Sequence, residues 1–422
     1  MGEAVYDLSH FGWDNCIIPV NLKDVDKHIP SYKSLKTLRK PTLFNLNETY
    51  FPHKLFKNGE LFYMPAFEKG VLHTDGGYAN IYKGRRAVFV PDGEEKKDSI
   101  HLRRSEEFKE ICIKEVSLTI RPSEESASPI TRRRAYKEEI HAILYEAFLH
   151  ALIYKTLERE GFPSLVPKMY DIVAYTGGAP VTNDPTIIKS IWISMEFIHG
   201  YTLEKYLQRN LVNISTKPGA AEQNQRIFLD IFIQLSFCLD ILQDKIRFNH
   251  RDLKINNIYV RQQESSWSKT LTIPDFGIWE CSIDIVLIDF GFSCISCGDE
   301  YPMPQACLIG AGSWFRPEHD CMKPGRDLCQ FIYSIHSSFP FPDYVSGDFM
   351  NIIRNALQVN KGTMTIDLMK GVDKRGVPNT SGVVPKYVSF NEGIYIFLRD
   401  SDVNIPGCVP KLFLNGLRSL AI

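Results

Sequence analysis

Residues 250–257 read His250-Arg251-Asp252-Leu253-Lys254-Ile255-Asn256-Asn257, and they follow a long amphipathic run that ends near Arg247. A free carboxylate, a guanidinium, an ammonium and an amide fall within one short turn. An ordinary solvated loop has no use for that set, whereas chemistry does. Asp252 can accept a proton from a hydroxyl nucleophile, Lys254 can neutralise charge on a group in transfer, and Asn257 can hold a metal ion.

Working outward from this loop, the upstream residues Ile227, Phe228, Ile231, Phe232, Leu235, Leu239 and Leu242 recur at helical spacing and read as a core helix. Downstream, the triplet Asp-Phe-Gly occurs twice, at 275–277 and at 289–291. Asp289 follows the apolar run Ile285 to Ile288, a buried strand able to fix a carboxylate for a metal. Asp275 follows Pro274 in a polar insertion and reads as a turn residue.

Nearer the N-terminus, residues 67–90 carry a turn-rich centre, His73 to Gly77, flanked by apolar runs, which predicts a β-hairpin. The charged stretch 92–108 reads as a solvent loop, and Glu110 to Val116 alternates as a strand that contains Lys114. Taken alone, Lys114 is a lysine on a strand facing solvent. Residues 132–157 predict a helix, with Ile140, Ile143, Leu144, Ala147, Ala151 and Tyr154 on one stripe and Gly161 and Pro163 at its stop. Glu146 lies mid-helix on the inward stripe, and His150, one turn on, competes for that face. Residues 187–198 read as a strand, with a helix from Thr202 to Leu207. Residues 1–65 show neither helical nor strand periodicity and read as an extension, while 339–422 read as short apolar helices between Pro- and Gly-rich segments.

The catalytic string matches the protein-kinase loop H-R-D-L-x-x-x-N at every specified place, and the order of the other motifs resembles the eukaryotic-type protein kinase superfamily over residues 67–339. The string VLIDFGFSCI and the short activation segment look most similar to the divergent kinases of large DNA viruses. The resemblance implies an α+β, bilobal protein-kinase-like fold with MgATP between a β-rich small lobe, 66–197, and a helical large lobe, 198–422. In it, Asp252 is the base, Lys254 stabilises the transferring phosphoryl group, and Asn257 and Asp289 ligate Mg2+. Lys114, in ICIK, pairs the nucleotide phosphates and is itself paired by Glu146. Thr74, Gly76, Gly77, Tyr78, Ala79 and Ile81 form the phosphate-covering turn, with Thr74 and Ala79 where the family has glycine. Met195 is the residue that gates the base pocket, and the backbone of Glu196 and Ile198 meets the adenine edge. Asp327 braces the catalytic loop, and Glu318 in Arg316-Pro317-Glu318 makes a structural ion pair. Ser293, Ser296 and Tyr301 are hydroxyls that Arg251 would bind once phosphorylated. Lys254, two places after the base, resembles the serine/threonine class, so the implied partner is a protein substrate. A small-molecule kinase and a pseudokinase-type binding module are the alternative readings.

Composition bounds the rest. With 422 residues, 44% hydrophobic and 23% charged, the chain is long enough for two lobes and globular in character. A net charge of −1 offers no field for nucleic acid or anionic lipid, and neither partner is expected. No run is long enough to span a bilayer. Ten scattered cysteines without a small-scaffold spacing point to reduced thiols in an intracellular compartment, cytoplasm, nucleus or virion, and no disulfide is expected. Nothing in the residues bears on oligomeric state.

Overall fold

The computed structural model describes residues 54–57, 60–63, 67–75, 79–91, 102–118, 128–175, 189–264, 267–295, 323–379, 390–399 and 403–420. Expectations placed on Gly76, Gly77, Tyr78, Ser296, Tyr301, Glu318 and residues 1–53 lie outside them. The chain divides into two units, one formed by residues up to Tyr154 with Pro167–Ile198, the other by Lys155–Val166 with His199 onward.

In the first unit, strands β1 (Lys54–Lys57) and β2 (Glu60–Tyr63) form an antiparallel hairpin, within the stretch that shows no sustained strand periodicity. Each is only four residues long, too short for alternation to stand out. Then come β3 (Phe67–Asp75), β4 (Asn80–Pro91), β5 (Leu102–Ser117), helix α1 (Pro129–Arg159), β6 (Met169–Tyr175) and β7 (Ser190–Glu196). They make a five-stranded antiparallel sheet in the order β3-β4-β5-β7-β6. Alternation along β5 sends Ile111 and Ile113 to one face, where they pack with Tyr170, Tyr82 and Trp192. The expected solvent loop ends earlier than predicted, because Leu102, Arg103 and Arg104 already pair with Pro91, Val90 and Phe89. Ladder bonds use only the backbone, so charged side chains do not prevent a strand where a partner strand is present.

In the second unit, β8 (Gly200–Thr202) leads into α2 (Leu203–Asn210), whose first turn is capped by Thr202 Oγ1 accepting from Lys205 N at 3.4 Å. The long α3 (Ala220–Ile246) is the core of this unit. Phe228 and Phe232 on α3 meet Phe341 and Phe349 at ring-centroid distances of 5.3 to 6.4 Å, and Phe232 also meets Phe331 and Phe413. After α3 come β9 (Ile258–Arg261), the hairpin β10 (Lys269–Ile273) and β11 (Gly277–Cys281), and β12 (Ile285–Leu287). Strand β9 lies between β12 and β8 in an antiparallel sheet. The unit continues with α4 (Arg326–Ser338), α5 (Gly347–Ala356), β13 (Gln358–Lys361), β14 (Met364–Asp367), α6 (Phe390–Arg399), β15 (Val403–Asn404) and α7 (Pro410–Arg418). Strands β13 to β15 form a small sheet where only helices were expected.

The β10–β11 hairpin is tied to α3 by one carboxylate. Asp230, fully buried, accepts from Trp279 Nε1 at 2.9 Å, from Ser282 N at 2.8 Å and from Ser282 Oγ at 2.5 Å. Arg226 lies 4.2 Å over the Trp279 ring and pairs with Asp230 at 3.3 Å. Burial pushes the Asp230 carboxyl above its ordinary range, and the Ser282 bonds and Arg226 hold it back.

Cys294 is disulfide-bonded, which corrects the expectation of no disulfide. A chain-wide count cannot tell which two thiols a fold brings together. Cys112, Cys238, Cys281, Cys329 and Cys408 are free.

Candidate active site

Helix α3 ends at Arg247 in the left-handed conformation, φ 47°, and the chain turns directly into the 250–257 loop. Asn249 and Cys294 exchange two backbone hydrogen bonds of 2.9 Å, closing the entrance. Asp327, in the first turn of α4 and 0% exposed, accepts from Asn249 Nδ2 at 3.0 Å, His250 N at 2.7 Å and Arg251 N at 2.9 Å. A buried carboxylate needs such donors, and in turn it fixes the backbone path of the loop. That tether lets Arg251 stay at φ 66°, in a region that non-glycine residues seldom occupy. Further on, Ser334 Oγ accepts from Ile255 N at 3.1 Å.

Within this frame three predicted residues come together. Lys254 Nζ donates to Asp252 Oδ2 at 2.6 Å, and Asn257 Nδ2 donates to Asp252 O at 2.8 Å and to Oδ2 at 3.1 Å. Both side-chain bonds fall on the same carboxylate oxygen. Neither bond uses the other oxygen, and the Asn257 amide, its N–H groups turned to Asp252, presents its carbonyl oxygen elsewhere.

Asp289 is carried to the same loop by β12. Leu287 pairs with Ile258, Ile288 N donates to Asn257 O at 3.0 Å, and His250 Nε2 donates to Ile288 O at 3.0 Å. Residue 288 is therefore stapled on both sides, and Asp289 follows it, exposed, at φ 64°. Its neighbour Phe290 is buried, its ring centroid 5.5 Å from that of His250. Asp275 instead stands at the tip of the β10–β11 hairpin, φ 62°, 71% exposed and 3.3 Å from Lys411 Nζ. Among the described residues no group of three or more His, Cys, Asp or Glu is arranged to hold a metal. An amide oxygen from Asn257 and a carboxylate from Asp289 nonetheless fit Mg2+, which takes hard oxygens and fills its remaining positions from water and phosphate.

In the first unit, Lys114 Nζ donates to Glu146 Oε1, with the two side chains 16% and 17% exposed. Strand β5 places Lys114 opposite Ile81 of β4 and Ile193 of β7, and Cys112 opposite Lys83 and Met195. Ile81, Cys112, Lys114 and Met195 thus share one face of the sheet. His150 does not compete for Lys114. It is buried, donates from Nε2 to Pro167 O at 2.7 Å, and is pushed down to about 4, first by burial, against the pull of that bond and with help from the Lys114 charge. A neutral imidazole cannot balance an ammonium, so the carboxylate does. Burial pushes the Cys112 thiol up to about 11 despite Lys114 nearby, which keeps it protonated at neutral pH.

Glu196 N donates to Lys168 O at 2.7 Å, and Glu196 closes the β5–β7 ladder opposite Ile111. Ile198 is half-buried just beyond β7. Thr74 and Ala79 flank the β3–β4 turn, with Thr74 paired to Ile81. Cys112 and Lys83 went unnoticed in the sequence, although period-two alternation from Lys114 and Ile81 picks out both. Lys83 pairs with Glu110 at 2.7 Å and lies 4.9 Å over the Phe197 ring.

One expectation is corrected. Ser293 is 1% exposed and donates to His250 O at 3.3 Å, so it is a structural hydroxyl and not a modification site for Arg251, itself 0% exposed.

No protein family profile matches the chain. Over 140 residues, 33% of its length, the chain is 30% identical to a protein described as "Probable kinase 098L" of Invertebrate iridescent virus 3, a large DNA virus. The matched stretch spans 24% of that relative's length. The similarity to a kinase of a large DNA virus suggested by the motifs is therefore found, as a distant one.

Proposed function

We propose that the chain is an ATP-dependent protein kinase of bilobal kinase-like fold, with small lobe 66–197 and large lobe 198–422, that transfers the γ-phosphoryl group to Ser/Thr hydroxyls of protein substrates. The carrying observation is the shared Asp252 Oδ2, held by Lys254 at 2.6 Å and Asn257 at 3.1 Å on a loop whose backbone is fixed by Asp327. Asp252 accepts the acceptor's proton as the oxygen attacks. Lys254, already beside that carboxylate, neutralises charge on the group in transfer. Asn257 and Asp289 hold Mg2+, which when bound neutralises phosphate charge and orients the phosphate oxygens. Lys114, itself held by Glu146, fixes the nucleotide phosphates. The turn of Thr74, Gly76, Gly77, Tyr78 and Ala79 covers them, Ile81 and Met195 line the base pocket, and Glu196 and Ile198 meet the base edge. The distant kinase relative supports phosphoryl transfer. Lys254, two places after Asp252, supports the serine/threonine class. No described helix is long and apolar enough to cross a membrane.

Phosphorylation of a degenerate Ser/Thr/Tyr peptide library, run beside a panel of amino-alcohols, tests this assignment. Label on Ser/Thr peptides alone is the expected result. Label confined to the amino-alcohols would replace it with a small-molecule kinase, and no label anywhere would leave a binding module.

A further inference from the structure

The sheet face that carries Lys114 also carries a second lysine. Pairing across the strands sets Lys114 beside Ile81 and Ile193, and Cys112 beside Lys83 and Met195, and one step further out Glu110 stands opposite Arg85. Period-two alternation puts residues 110, 112 and 114 of β5 on one side, with 81 and 83 of β4. A lysine suits the row of Cys112 and Met195, because its stem is apolar and its charged end reaches beyond the row. The ammonium does reach outward: Lys83 Nζ is 2.7 Å from Glu110 Oε1 and 4.9 Å from the centroid of the Phe197 ring.

Phe197, half-buried, stands directly after β7 in the linker 196–198. The residue before it is held from the β6 side, where Glu196 N donates to Lys168 O at 2.7 Å and Glu196 Oε2 accepts from Lys168 N at 3.2 Å. Those bonds act on residue 196 and not on its neighbour. Lys83 acts on the neighbour: Glu110 fixes the ammonium, and the ammonium attracts the face of the Phe197 ring. The linker is thus held from both flanks, by hydrogen bonds on one and by a cation on the other. The Lys83 and Glu110 side chains are 42% and 44% exposed, so the ion pair adds little to stability and its effect is on geometry.

We propose that Lys83 is a positioning residue for the nucleotide base: with Glu110 it holds the Phe197 ring, and so keeps the 196–198 backbone at the distance from Ile81, Cys112 and Met195 that a purine between them requires. This deepens the kinase reading and rests on it for the identity of the nucleotide. The effect falls on the binding of ATP and not on the transfer step.

The test uses the full chain and four variants: Lys83→Met, which keeps an unbranched apolar stem and removes the cation; Lys83→Arg, which keeps a cation; Phe197→Leu, which removes the ring; and Lys83→Met with Phe197→Leu. Calorimetry gives Kd for MgATP, and steady-state kinetics give KM and kcat. Lys83→Met should raise Kd and KM for ATP about fivefold, with kcat within about twofold and Tm within about 2 °C of wild type. Lys83→Arg should return Kd and KM to within about twofold of wild type. The double variant should bind no more weakly than the weaker single one, because the two side chains act as a unit. An unchanged Kd in Lys83→Met overturns the proposal, as does a Lys83→Arg variant no better than Lys83→Met, or losses that multiply in the double variant. So does a Lys83→Met variant in which kcat, KM and Tm all worsen together, because that is loss of structure. If the wild type binds ATP without transferring it and Lys83→Met weakens that binding, the kinase reading falls and the positioning by Lys83 stands. A wild type that binds no ATP sinks both.

Discussion

Lys114 and Asp252 both carry roles in the proposed phosphoryl transfer, but they are held in unlike ways. Lys114 reaches across from β5 to a helix and is fixed there by Glu146, both ends about one-sixth exposed. Asp252 sits on a loop whose backbone amides at 250 and 251 both end on the fully buried Asp327, with Ser334 and Asn249 adding further bonds. A part-exposed ion pair contributes little to stability and breaks when a single helix shifts. A buried carboxylate that satisfies three N–H groups is built into the fold, and it cannot be removed without stranding those donors. The Lys114–Glu146 contact is thus the adjustable one of the two and the Asp327-held loop the rigid one.

The sharpest way to break this contrast is Asp327→Ala. It should cost about 3 kcal/mol or more, since three buried donors lose their acceptor, and activity should fall with stability. Denaturant melts and turnover on one preparation check it. Glu146→Gln should behave the other way, with kcat/KM lower by about a hundredfold and stability changed by less than about 1 kcal/mol. If the two variants lose stability equally, the contrast is wrong.

His150 sharpens the contrast through pH. Its folded value, about 4, lies below the ordinary 6.5, so between these two values the unfolded chain binds the extra proton. The stability it contributes is complete above about pH 6.5 and is lost as pH falls toward 4, up to about 3 kcal/mol. His150→Gln should flatten that part of the stability profile, read by urea melts from pH 7 to pH 4. The smallest effect is expected at the hairpin tip, where Asp275→Ala should leave turnover unchanged and shift Tm by about 1 °C or less.

Much of the site was legible in the residues, because its chemistry depends on side chains close together in the chain. Asp252, Lys254 and Asn257 occupy one turn, and their mutual bonds follow from that spacing. The different settings of Asp289 and Asp275 were legible as well, since an apolar strand precedes one and a Pro-containing polar segment the other, and they lie after β12 and at a hairpin tip. Long-range partners were harder to see. The bond that Ile255 N donates to Ser334 Oγ spans 79 positions, and no local pattern announces it. The tie of Asp230 to Trp279 and Ser282 looks, in sequence, like a polar break in an apolar stripe. Strands β13 and β14 were overlooked despite a usable signal: Lys361 pairs with Met364 across a two-residue turn that opens on Gly362 at φ 60°. The early start of β5 was hidden by charge, which the loop reading treated as a mark of solvent.

The most direct measurement is transfer of label from γ-labelled ATP with Mg2+ to a mixed protein substrate, comparing wild type with Asp252→Asn, Asp289→Asn and Asp275→Asn. Wild type and Asp275→Asn should label Ser/Thr to the same extent, while Asp252→Asn and Asp289→Asn fall by about a hundredfold or more. Label that persists in Asp252→Asn, or disappears in Asp275→Asn instead of Asp289→Asn, would contradict the catalytic assignment.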